Sequence, residues 1–115
     1  MISQVMMEVI EMIRAKFQLN KINQITSYKI SGHALFLPKG MDIVCAGVSV
    51  LTIAITNELN NDVIIDQDEG SITVGDILPS TANVTLTNTL LSGLQGISEQ
   101  YPDNLTVELL NSSEA

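Results

Sequence analysis

Cys45 and His33 are the only cysteine and the only histidine in the chain, and they stand twelve positions apart. A thiol becomes a strong nucleophile when it ionises. An imidazole beside it can take that proton and later return it to a leaving amine, which is acyl-transfer chemistry. The surrounding residues suit such a pair. Asp42 reads as the N-cap of a helix with Cys45 at its third position, where unpaired backbone N–H groups and the helix dipole favour a thiolate and can hold an oxyanion. His33 reads as the end of a strand, and the loop ALFLPKGM (34–41) joins the two, with Gly32 and Gly40 flanking it as hinges. A plainer reading stands beside this one: a small core cysteine, a histidine that caps or packs, an ordinary N-cap at Asp42, and Ser49 and Thr52 bonded back to their own helix. A metal held by His33, Asp42 and Cys45 would lack a fourth nearby ligand, so neither metal nor cofactor is expected.

The elements that must position these residues follow from pattern. QITSYKIS (24–31) is rich in β-branched and aromatic types and reads as a strand, with MIRAKF (12–17) able to pair with it across the Asn20-Lys21 turn. Residues 2–17 also fit a helix through Val5, Val9, Ile10, Ile13 and Phe17. VIID (63–66), a QDEG turn and SITV (71–74) read as a second hairpin. Over 42–60 the β-branched content argues for strand, but Asp42, Cys45, Ser49, Thr52 and Thr56 are spaced 3, 4, 3, 4. That spacing is one stripe of a helix, so a buried central helix with a single polar stripe is expected. Pro79-Ser80-Thr81 opens a second helix with Leu90, Leu91, Leu94, Ile97 and Tyr101 on one side. Pro102 ends it, and LTVELL (105–110) is a last strand. The order β-β-α-β-β-α-β is an α+β domain, two helices packed on a mainly antiparallel sheet.

Composition narrows the function classes. With 115 residues, 45% of them apolar, one domain is expected. The net charge is −8, and it is unevenly placed: residues 1–39 hold all five basic residues against two acidic ones, while residues 40–115 hold eleven acidic residues and no basic one. A nucleic-acid binder needs the opposite balance, so the expected partner is basic and not nucleic acid. The longest apolar stretch, Ile43 to Ile55, is too short for a membrane span, and MISQVMMEVIE lacks the basic start and cleavage site of a signal peptide. A single cysteine fits a reducing compartment, hence a cytoplasmic protein, and the Asn-x-Ser/Thr triplets at Asn83, Asn104 and Asn111 read as coincidence.

The runs ISGHA (30–34) and DIVCAGVS (42–49), with QYP (100–102), resemble the bacterial ribosomal-processing cysteine protease family, Prp. In that family a strand ends in SGHA, a loop follows, and G-x-DIVCAAVS opens a helix; the spacing from His33 to Asp42 and Cys45 agrees without a gap. Two departures stand out: Gly47 where the family usually has alanine, and the apolar loop Leu35-Phe36-Leu37 where such loops are commonly more polar and glycine-rich. The resemblance implies a homodimeric endopeptidase that removes the N-terminal extension of large-subunit ribosomal protein twenty-seven. It makes Cys45 the nucleophile, His33 the base, Asp42 an assisting or structural residue and Ser49 a secondary one. Leu35, Phe36 and Leu37 then read either as an apolar lid over an apolar substrate or as a loop folded onto the core.

The competing class is a non-catalytic acidic dimer that binds a basic ribosomal protein. It needs no thiol at a helix start facing the only histidine. The domain is expected to span 12–110, followed by a polar tail at 111–115. Residues 1–11 read as an extension and, because Met7-Glu8-Val9 can be encoded by a stretch containing the ribosome-binding sequence GGAGGU shortly before the Met12 codon, as translated leader.

Overall fold

Alternation of apolar and polar side chains makes β1 (Ile13–Leu19) and β2 (Ile25–Ser31) an antiparallel hairpin, with Phe17 opposite Tyr28 and Ala15 opposite Ile30. The Asn20 side chain shapes its turn, Oδ1 accepting from the amides of Ile22 at 3.0 Å and Gln24 at 2.9 Å. The computed structural model describes residues 12–32, 39–60 (backbone alone over 39–42), 63–68 and 70–111. Of the two readings of residues 2–17, strand holds from Ile13 onward; residues 1–11 lie outside the described residues.

β3 (Ile64–Asp68) and β4 (Ser71–Gly75) form the second hairpin. β3 runs on to Asp68, which pairs with Ser71, so the turn is tighter than QDEG suggests, and Gly70 takes φ +86° there. β5 (Leu105–Asn111) returns parallel to β1. The sheet order is β3-β4-β2-β1-β5, mostly antiparallel with that one parallel edge. Ile13, Ala15 and Phe17 are buried while Arg14 and Lys16 between them are exposed. One sheet face therefore meets the two helices, and among the described residues no helix packs on the other, the α+β arrangement expected.

The first helix, α1, spans Lys39–Glu58. It begins before Asp42, so Asp42 is not its N-cap, and Cys45 stands in the second turn rather than the first. Gly40, expected as a loop hinge, lies in the helix. The expectation of a helix buried all round also fails. Val44, Val48 and Ile55 are buried, but Ile43, Val50 and Ile53 are 66%, 68% and 54% exposed, whereas Thr52 and Thr56 of the polar stripe face inward. With one layer of helices over one sheet, α1 has a single inner face, and the polar stripe occupies part of it.

The second helix, α2, spans Thr81–Gln100, capped by Ser80, whose Oγ accepts from the Asn83 amide at 3.1 Å. Asn83 is fully buried. Its Nδ2 donates to the carbonyls of Asn60 (3.1 Å) and Leu78 (3.0 Å), and its Oδ1 accepts from the Asn60 amide at 3.0 Å. It thus ties the end of α1 to the start of α2, and the asparagine that opens the Asn83 triplet is itself a core residue. Midway, the helices approach so closely that a Cβ at Gly93 would meet Leu51 Cδ2.

Beneath α1, the Tyr28 hydroxyl and Thr56 Oγ1 share a hydrogen bond of 2.6 Å. Burial pushes the Tyr28 phenol above its ordinary 10.0, and the Thr56 hydrogen bond pulls the other way. A raised acid pKa leaves stability intact below 10.0 and removes it as pH rises through the raised value. Thermal unfolding followed against pH should therefore show a fall beginning near pH 10 that is shallower in Tyr28→Phe. At neutral pH that variant should lose about 1–2 kcal/mol, because Thr56 keeps a buried hydroxyl without its partner. Equal alkaline slopes in the two proteins would refute the assignment.

Candidate active site

Gly32 closes β2 under a tight constraint. Its φ is +97°, its amide donates to the Gly70 carbonyl at 3.1 Å, and a Cβ there would run into the Met12 carbonyl oxygen and stand 3.1 Å from Ile13 Cα. Only glycine suits both that conformation and that space. The chain thus leaves the sheet at one defined point, between the start of β1 and the β3–β4 turn, directly before His33. His33 itself, with Leu35, Phe36 and Leu37, lies outside the described residues.

On the other side, α1 carries Cys45 half-buried, its neighbour Val44 in the core. One turn further on, Ser49 is half-buried, and after a second turn Thr52 is 3% exposed. A groove of about 250 Å³ opens beside them, lined by Ser49, Thr52 and Ile53 of α1, Ile30 of β2, and the second hairpin through Gln67, Asp68 and Gly70 to Ile72 without residue 69, which lies outside the described residues. Ile30 lies two residues before Gly32. The element that leads to His33 and the stripe that carries Cys45 therefore border one cleft. Among the described residues, no group of three His, Cys, Asp or Glu side chains could hold a metal, and no helix is long and apolar enough to cross a membrane.

The earlier helix start, at Lys39, changes the electrostatics expected of Cys45. The dipole acts mainly over the first turn, so at Cys45 it contributes less than it would at an N3 position. Asp42 and Cys45 stand three positions apart within α1. Sequence reasoning missed the second hairpin as a wall of the cleft and the inward turn of Thr52. The 3, 4, 3, 4 spacing placed Thr52 on the right stripe but carries no information about which neighbours that stripe meets.

Comparison with known proteins bears on the chemistry. A family model described as Cysteine protease Prp matches residues 12–106. The ribosomal processing cysteine protease Prp of Mycoplasma pneumoniae is 31% identical over 81 residues, covering 68% of this chain and 81% of that protein. A Streptococcus mutans protein of known structure superposes with a TM-score of 0.74 at 25% identity, over 89% of this chain and 97% of that one. The essential ribosomal processing protease Prp from S. aureus, solved with a covalently linked product peptide, gives 0.73 at 26% identity, over 85% and 99%. These matches set aside the non-catalytic binding protein.

Two glycines near the site should respond oppositely to alanine. At Gly47 a Cβ would lie 3.6 Å from Ile97 Cδ1, an ordinary contact. Gly47→Ala should then stabilise the fold by about 0.5–1 kcal/mol through helix propensity, visible as a rise in Tm of a few degrees. Gly32→Ala should lower Tm sharply, because strain and overlap coincide there. Indifference to Gly32→Ala would contradict the seat described for β2.

Proposed function

Because the chain belongs to the Prp family of cysteine proteases, we propose that Cys45 is its nucleophile and His33 its general base and acid. The proposed substrate is the N-terminal extension of large-subunit ribosomal protein twenty-seven. The Cys45 thiol gives its proton to His33, and the thiolate sulfur attacks the scissile carbonyl carbon. Collapse of the tetrahedral intermediate breaks the C–N bond as the imidazolium protonates the leaving amine. A water molecule, deprotonated by His33, then attacks the thioester, releasing the carboxylate product and restoring the thiol.

The observation that supports this reading best is the shared cleft: β2, which leads through Gly32 to His33, borders one groove with Ser49 and Thr52, which lie on the same stripe of α1 as Cys45. Asp42, one turn before Cys45, assists by orienting or charge-balancing the imidazole, and Ser49, one turn after it, is a secondary group toward the substrate. The substrate passes the segment containing Gly32, Leu35, Phe36, Leu37 and Gly40. The acidic field of residues 40–115 attracts a basic ribosomal protein. The protein works in the cytoplasm as a homodimer, with a solution mass near twice 12.4 kDa.

Incubation with the extended N-terminus of that ribosomal protein, read by intact mass, tests the assignment with Cys45→Ser as control. Cleavage by the unmodified chain alone is expected. Cys45→Ala and His33→Ala should each lower the rate by about a thousandfold or more, and the double variant should be hardly worse, because the two groups act in one step. Multiplied losses would show that they do not share it.

A further inference from the structure

Thr52 lines the cleft, is 3% exposed, and its Oγ1 has no hydrogen-bond partner. A helical threonine ordinarily settles its hydroxyl on the carbonyl one turn back, as Thr87 does on Asn83 at 2.8 Å. The stripe neighbour below, Thr56, is satisfied by Tyr28. The orphaned hydroxyl thus lies at the groove and not elsewhere along the stripe. Buried polar groups without partners are rare in native proteins, and one beside a cleft points to a ligand that supplies the missing bond. Around it the described lining holds the Ser49 hydroxyl, the Gln67 amide and one ionisable group, the carboxylate of Asp68. No cation is among these residues.

We propose that this groove is a side-chain subsite that selects a lysine or arginine of the peptide, its N–H groups donating to Thr52 Oγ1 and its charge balanced by Asp68. The inference rests on Cys45 being the residue that receives the scissile carbonyl. Along α1, Ser49 lies about 6 Å and Thr52 about 10 Å beyond Cys45 at 1.5 Å per residue. An extended peptide advances about 3.3 Å per residue. The selected side chain therefore stands two or three residues from the bond that is cut. A groove of about 250 Å³ has room for one long side chain. Charge favours the same choice, since a basic peptide approaching an acidic protein finds here an acid beside an unpaired acceptor.

The test uses peptides copied from the extended N-terminus, each position in turn carrying lysine or norleucine, titrated by calorimetry onto the Cys45→Ser chain. At one position lysine should bind about 10-fold tighter than norleucine. Thr52→Val, which keeps the volume and removes the hydroxyl, should bring that ratio toward one, and so should Asp68→Asn on the exposed hairpin. Absence of binding, no preference at any position, or a preference that survives both substitutions would overturn the subsite. Cleavage of the same peptides by the unmodified chain separates the two levels. A lysine preference in binding without any cleavage sinks the protease assignment and leaves the subsite standing; cleavage without the preference does the reverse.

Discussion

The seat of Gly32 is the constraint on which the rest depends. β2 lies between β4 and β1, so its end must be fixed to both neighbours before the chain can leave the sheet. The fixing is done by a backbone bond to Gly70 and by close contact with the Met12 carbonyl, at a φ that ordinary residues avoid. Gly70, itself at positive φ, is the turn glycine of the other hairpin. Two glycines thus join three strands at one corner, and that corner forms a wall of the cleft. Sheet register, exit point and cleft geometry are consequences of the same contact.

α1 carries its side chains in an unusual distribution for a helix of an outer layer. Its apolar residues Ile43, Val50 and Ile53 face solvent, while Thr52 and Thr56 face inward. Folding would gain more from the reverse, because buried hydroxyls must find partners. Thr56 finds Tyr28, whose ring meets that of Phe17 on the neighbouring strand in a tilted contact at 5.7 Å, so one hydroxyl pair anchors the helix to the aromatic centre of the core. Thr52 has no such compensation. A fold that tolerates this on the stripe carrying its cysteine has traded stability for a polar cleft, the kind of local inconsistency expected at a working site.

Much of this was legible in the residues. β-Branched and aromatic content marked the first hairpin, the QDEG turn with Gly70 marked the second, Pro79-Ser80 marked the start of α2, and the 3, 4, 3, 4 spacing of Asp42, Cys45, Ser49, Thr52 and Thr56 outweighed β propensity across α1. The start of α1 was less legible, because Asp42 is a good N-cap type and Gly40 a poor helix former. The opposing signal is Pro38, a residue type favoured at a helix start. Which stripe of α1 faces inward, the parallel return of β5 beside β1, and the second hairpin as a cleft wall depend on pairings distant in sequence, and local pattern cannot report them. The pairing of Cys45 with His33 as a catalytic unit rested on the runs ISGHA and DIVCAGVS more than on residue type.

With Cys45 beyond the first helical turn, the dipole alone is a weak activator, and a thiolate there must draw its stability from an imidazolium partner. The rate of iodoacetamide labelling of Cys45 against pH measures this directly. A paired thiolate labels at a rate that stays flat from neutral pH well into the acid range, and His33→Ala abolishes the acid plateau. A rate that rises only around the ordinary thiol value of about 8.5, with or without His33, would contradict a nucleophilic Cys45.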